Sequence, residues 1–352
     1  MLAPITHIIP VTTIRRERRL PVMGRVLVRK GQQVNALEVL AEADLAPEHL
    51  LLDVSRALGL PASKADQFLQ RHEGDEVSEG DVIAGPVGIG RRVLRAPKSG
   101  KIVLAGGGQA LLELEGQPYE LKACFPGTVA DLIADRGAVI ETNGALIQGA
   151  WGNGKVDFGL LNIIARAPDD ELTRDRLDVS LRGSIVMGGY CDDPDALRAG
   201  NDLPLRGLIL ASIDAALLSI AQKAIYPIIL LEGFGRIPMN APAYKLLTTS
   251  ERRDVSLNAE SWDRLKGSRP EIVVPLPAAS DGLVFAPDVD SFKVGAQVKI
   301  LRAPFPSVVG KLVSLRLGKT PLKNGLCTDA AEVQLENGET HLLPLANLEM
   351  LE

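Results

Sequence analysis

Aromatic residues make up only 4% of the 352-residue chain. Its cores must therefore be built from Val, Leu, Ile and Ala, and stacking platforms of the kind single-stranded nucleic acids use are nearly missing. Cysteine is scarcer: Cys124, Cys191 and Cys327 stand far apart and odd in number. That pattern supports neither a disulfide framework nor a zinc knuckle, and it makes a reducing cytoplasm the expected compartment. The histidines, His7, His49, His72 and His341, are dispersed without ligand spacing, so no metal site is nominated. Long apolar runs are also missing. The nearest, Gly207 to Leu231, is interrupted by Asp214, Gln222, Lys223 and Pro227, whereas a membrane helix needs about 20 mostly apolar residues. It reads as strand, helix, strand. The stretch up to Pro21, with Arg15-Arg16-Glu17-Arg18-Arg19, offers no apolar core before a cleavage site, so no secretory signal is expected.

What is present points to short strands and many turns: 34 glycines, 23 prolines and 46% hydrophobic residues. The length suits two or three domains. A net charge of −5 argues against a surface that grips nucleic acid or anionic membrane as a whole, because counterion release needs clustered Lys and Arg.

A glycine-valine phrase recurs through the first 150 residues. It reads Gly31-Gln-Gln-Val34, Gly74-Asp-Glu-Val77 and Gly80-Asp-Val-Ile83, then Ala96-Pro97-Lys98-Ser99-Gly100 and Pro126-Gly127-Thr-Val129. Repetition of this kind sets an architecture before any single residue is interpreted. The expected first module is a β domain over 1–165. It carries a helical insertion over about 46–71, where Leu50, Leu51, Val54 and Leu58 and later Ala65, Phe68 and Leu69 recur at helical spacing, the second helix capped by Ser63 with Asp66. The fragment from Asp53 to Lys64 superficially resembles a helix-turn-helix, but its second helix is not basic.

Over 170–275 continuous apolar strands alternate with helices. The strands are Gly183 to Gly189, Leu208 to Ala211 and Tyr226 to Leu231; the helices are Asp193 to Ala199 and Ile213 to Ala224. This predicts a small parallel α/β domain covered on both faces. A proline-rich stretch, Arg269 to Pro277, leads toward a last all-β module over 288–352. There Asn337-Gly338 between alternating runs predicts a hairpin.

Two resemblances follow from these residues. Gly74-Asp75-Glu-Val77-Ser-Glu-Gly80 and Ala96-Pro97-Lys98-Ser-Gly100 resemble the flanks of biotinyl and lipoyl carrier domains, which implies a barrel-sandwich hybrid fold. The hairpin between them, Gly85 to Leu94, holds no lysine to take the prosthetic group. Arg91 and Arg92 cannot replace one, because guanidinium stays protonated, and Lys98 lies in the following turn. The last module resembles the KOW-type SH3-like barrel through Val294-Gly-x-x-Val298, Ile300 and Gly310-Lys311-Leu-Val313, which implies contact with RNA, ribosome or polymerase. Lys311, Arg316, Lys319 and Lys323 are its candidate phosphate-binding residues. No single family is resembled by the chain as a whole.

Candidate chemistry is thin. Gly149-Ala-Trp-Gly-Asn-Gly154-Lys155 follows phosphate-loop spacing, but Val156 occupies the magnesium-ligating Ser/Thr position. A glycine-rich turn with Trp151 as a packing anchor is the alternative. In an open parallel sheet, ligands sit beyond the carboxyl ends of the strands. That places Gly188, Gly189 and Asp192, Ser212 and Asp214, and Glu232, Gly233 and Gly235 at one edge as ligand-binding candidates; the competing reading is helix caps and tight turns. No catalytic residue and no cofactor is nominated. The expectation is a non-enzymatic scaffold or adaptor with protein partners and a possible oligomer. The alternatives are a nucleic-acid- or ribosome-associated factor acting through the last module, or an accessory subunit of a redox enzyme.

Overall fold

Gly31 and Gly74 open two turns built alike. Each glycine sits at positive φ, +83° and +97°, where a side chain is strained. Each donates its N–H to a strand carbonyl, Val129 O at 2.8 Å and Ile102 O at 2.7 Å. Three residues on, Val34 pairs with Gly127 and Val77 with Gly100. The strands so engaged, Gly127–Ile133 and Gly100–Gly106, bulge after Val129 and after Ile102. The recurring phrase is thus a duplicated turn-and-strand unit, seen here in a computed structural model that describes residues 2–88, 90–116, 118–263, 268–276 and 289–352. Ile89 in the Gly85–Leu94 hairpin, Pro277 closing the proline-rich stretch, and residue 288, the expected start of the last module, lie outside the described residues.

The chain is β-rich, with several sheets and few, short helices. It divides into two compact units. The smaller, Leu20–Val26 with Ala41–Leu121, contains an antiparallel sheet in the order His49–Asp53, Gln109–Leu114, Gly100–Gly106, Glu76–Val77. Its inward residues Leu52, Ala110, Leu112, Ile102 and Val77 pack with Val54, Leu58 and Ala65. The insertion expected to be helical from Leu50 begins instead as a strand. Leu50 and Leu51 pair with Leu112 and Leu111, because a short apolar run satisfies either period and cross-strand pairing decides. Helix Val54–Leu58 follows, with Asp53 accepting from Arg56 N at 2.8 Å and Gly59 ending it at φ +68°. Ser63 lies inside the one-turn helix Ala62–Ala65, which starts after Pro61. Asp66 accepts from Gly107 N and Gly108 N rather than completing a capping box.

The larger unit is Met1–Arg19, Leu27–Leu40 and Lys122–Glu352. In it strands Val156–Ile163, Ile185–Met187, Gly207–Ile213 and Ile228–Phe234 run parallel in spatial order. The sheet continues antiparallel through Asp254–Asn258 and Glu271–Pro275 to Gly137–Gln148, which pairs along its length with Ile8–Arg19. The parallel run therefore starts at Val156, ahead of residue 170. The strands' alternation sorts their apolar residues onto two faces. Val186, Leu208, Leu210, Ile228 and Leu230 pack with Ala196, Leu197, Leu217 and Ala221, while Ile185, Met187, Ile209, Ala211, Ile229 and Leu231 pack with Met239, Ala243 and Leu247. Helices Pro194–Asp202 and Leu218–Lys223 thus cover one face and Ala241–Thr249 the other.

A second sheet joins Leu2–Thr6 to the C-terminal strands Val289–Ser291, Leu348–Leu351, Gln297–Ile300, Val309–Pro321, Cys327–Leu335 and Thr340–Pro344. Ala3 and Ile5 enter its core beside Val298, Leu312, Val333 and Leu348, so the chain's first strand belongs with its last residues. Asn337-Gly338 makes the expected tight turn, Gly338 N donating to Leu335 O at 2.9 Å with φ +85°.

Candidate functional site

The carboxyl ends of the parallel strands bring Met187–Gly189, Ile213–Asp214 and Phe234–Gly235 to one edge. The chain itself occupies the space above them. A Cβ on Gly189 would lie 2.0 Å from Asp170 O, and one on Gly188 3.0 Å from Leu210 Cδ2 and 3.3 Å from Leu172 Cβ. The glycines thus admit backbone and side chains of the 165–172 segment. Arg176 fixes that segment by donating to Asp170 Oδ2 at 2.8 Å and to Glu171 O at 2.7 Å. A second loop crosses at Ser212, whose hydroxyl donates to Ile237 O at 2.7 Å and accepts from Ile237 N at 3.1 Å. Asp214 accepts from Ala216 N, and Asp193, next to exposed Asp192, accepts from Asp195 N and Arg174 N. Tyr190 is buried there and Arg236 lies over its ring; burial and the nearby Asp192 and Asp214 charges push its phenol up.

Glu232 is drawn away from that edge into a buried polar cluster that sequence reasoning missed. Its carboxylate accepts from Asn240 N and Nδ2, from Ser307 Oγ and from Lys299 Nζ, the last at 3.3 Å. Lys299 also lies 3.7 Å from Glu349, which accepts from Arg269 Nη2 at 2.9 Å. Arg269 in turn donates to Ile5 O and Thr6 Oγ1 and stacks over Trp262. Two acids and two bases cancel, as buried charges must. Burial alone would raise the Glu349 carboxyl, but Lys299 and Arg269 outweigh it and hold it below the ordinary range. Five segments remote in sequence meet here, around Ile5, Glu232, Arg269, Lys299 and Glu349, and no local motif signals the meeting.

The basic candidates of the last module lie along the hairpin Val309–Pro321 and Cys327–Leu335. Thr340–Pro344 supports the second strand only from Ala330 onward. Past Arg316 and Ala330 the two strands project as an arm, rejoined at Thr320–Thr328 and Pro321–Cys327. Gly318 N donates to Asp329 and fixes the intervening bulge. Lys319 and Lys323 are exposed on this arm with Leu317 and Leu326, and Lys311 is exposed nearer its base. Arg316 is paired with Glu332; hydrogen bonding from Ser314 and the Arg316 charge hold that carboxyl low against the effect of burial.

The Gly149–Lys155 stretch forms a turn into the sheet. Trp151–Gly152 pairs with Ile229 and Leu230, Trp151 meets Phe234 edge-on at 5.9 Å, and Asn153 bonds Ala221 O, Tyr226 O and Ile228 N. The backbone N–H groups of Gly149, Ala150, Asn153 and Gly154 donate to Pro270 O, Leu230 O, Ile228 O and Ala259 O, so the amides that would cradle a phosphate are engaged. In the smaller unit, Val82–Val87 pairs with Arg92–Arg95, and Lys98 is exposed in the bend that follows. Cys124 and Cys191 are buried and Cys327 exposed. Among the described residues no cluster of His, Cys, Asp or Glu is arranged to hold a metal ion, and no helix is long and apolar enough to cross a membrane.

Neither a protein-family model nor a curated protein matches this chain.

Proposed function

We propose that the chain is a non-enzymatic scaffold or adaptor that joins proteins through the hairpin arm of its C-terminal module. In this reading the duplicated turn-and-strand units form a carrier-like barrel-sandwich hybrid without a carrier lysine, and the C-terminal strands form an SH3-like barrel. The observation that carries the proposal is the arm itself. Leu317, on a strand that extends past the third strand of its sheet, and Leu326, in the turn that joins this strand to the next, stand exposed, and apolar side chains presented on a fixed projection favour contact with another apolar surface. A photocrosslinker in place of Leu317, used in the native host, tests it. Capture of a defined protein, abolished by Leu326→Asp, is the expected result, and the absence of any discrete adduct overturns the proposal.

The second reading, a ribosome- or RNA-associated factor, is favoured by exposed Lys311, Lys319 and Lys323 on the same hairpin. It requires salt-dependent RNA binding that weakens when these lysines become glutamine. Binding unchanged in the triple variant removes it.

A further inference from the structure

The smaller unit carries an apolar stripe on the solvent side of its four-stranded sheet. Leu111 pairs with Leu51 on one neighbour and Leu104 on the other, so the three form a single cross-strand row. Leu51 is 56% exposed and Leu104 55%, while the alternate positions Leu52, Ile102 and Leu112 fill the core. Strand alternation normally places polar residues on such a face. The stripe is bordered on one side by Asp53 and Gln109, and on the other by the row His49, Glu113, Lys101 and Glu76. Glu76, Glu113 and Glu115 also line one shallow groove with Lys101. The border is therefore acidic in excess.

The arm of the C-terminal module has the opposite character. Its leucines, 66% exposed at Leu317 and 59% at Leu326, flank Lys319 and Lys323 in the sequence, and its one acid, Asp329, is engaged by Gly318 N. Exposed leucines contribute nothing to phosphate binding, and the arm holds no aromatic ring on which a base could stack. They do match a leucine stripe, and the lysines match its acidic border.

Building on the scaffold reading, we infer that the chain self-associates head to tail, the arm of one copy lying on the leucine stripe of the next. Because the two surfaces differ, the contact is heterologous and propagates into a ring or an open filament rather than closing as a two-fold dimer.

Sedimentation velocity on the full chain tests this over a wide concentration range. The average mass of the wild type rises with concentration, whereas Leu326→Asp and Leu104→Asp each stay monomeric with unchanged melting, since both positions face solvent. Mixing the two variants restores a heterodimer, because each retains the surface the other has lost. A thiol-directed photocrosslinker on Cys327, the exposed cysteine, joins labelled to unlabelled chain within residues 49–53 or 100–114. Monomer at every concentration, association untouched by both variants, or crosslinks confined to single chains overturns the inference. A monomer that captures a different protein through Leu317 overturns it while leaving the scaffold reading standing. A monomer whose Cys327 is shielded by RNA overturns it in favour of the nucleic-acid reading.

Discussion

Lys299 Nζ lies 3.3 Å from Glu232 Oε2, with side chains only 6% and 2% exposed. A strand of the C-terminal sheet is thereby tied by charge to the parallel strand Ile228–Phe234. Glu349, 3.7 Å from the same amine, makes Lys299 the hinge of the cluster.

Replacing Lys299 by methionine leaves two buried carboxylates, Glu232 and Glu349, with Arg269, which pairs with Glu349, as the one remaining base of the cluster. The expected loss is about 3–5 kcal/mol of unfolding free energy. The double variant Lys299→Met/Glu232→Gln loses less than the sum of the single variants, since it no longer strands a charge. Urea unfolding of the four species gives the coupling; additive losses refute it.

Glu349 sets an acid limit. Its native carboxyl titrates below the ordinary value of 4.5, so the unfolded chain binds the proton more readily. Its stabilisation is then complete above the ordinary value and is lost as pH falls from there through the lowered native one. Melting temperature followed from neutral to acidic pH drops in that window. Glu349→Gln is less stable at neutral pH and shows a shallower drop.

Two adjacent glycines respond unequally to the same change. Gly189→Ala drives a methyl into Asp170 O, 2.0 Å from its Cβ, whereas the nearest atom at Gly188 is a side-chain methyl of Leu210 at 3.0 Å, which can give where backbone cannot. Overpacking against fixed backbone costs about 1–3 kcal/mol, and Gly188→Ala falls well below Gly189→Ala in a denaturation series. Equal effects count against a segment held tightly over Gly189.

Thiol chemistry separates the cysteines. Burial pushes Cys124 up to about 11 and Cys191 up to about 12, and the thiolate is the reactive form. A thiol reagent at neutral pH modifies Cys327 alone in the native chain and all three cysteines after denaturation. Rapid native labelling of Cys124 or Cys191 contradicts the burial described.

The legible parts of this fold were those written locally. Asn337-Gly338 announced its turn, the runs around Val186, Leu208 and Ile228 announced buried strands, and Gly31 and Gly74 marked two turns of one design. Leu50 and Leu51 misled because an apolar run too short to show a period is settled by its partner, Gln109–Leu114. Val156, read as standing at the magnesium-ligating position of a phosphate loop, starts a strand of the parallel sheet because Ile185–Met187 and Asp254–Asn258 flank that strand. At the candidate site, Gly188 and Gly189 were placed at the strand ends as expected, but the Asp170 segment above them was invisible in spacing. Glu232 stood out in the sequence, yet Ser307 and Lys299 could not be joined to it, since Ser307 lies 75 residues further along and nothing between them encodes the encounter.

The parallel pairing of Ile5 and Thr6 with Met350 and Leu351 bears on biosynthesis. Residues 2–4 can pair once Val289–Ser291 has been made, but the parallel partner of Ile5 and Thr6 exists only after residue 351 has been added. Until then the core around Ala3 and Ile5 lacks Leu348 and Met350. Such long-range closure is slow and exposes apolar chain to misassembly. Nascent-chain arrest before residue 348 therefore gives a protein with an unsealed second sheet, open to protease near its amino end, while the smaller unit, finished at Leu121, is already protected.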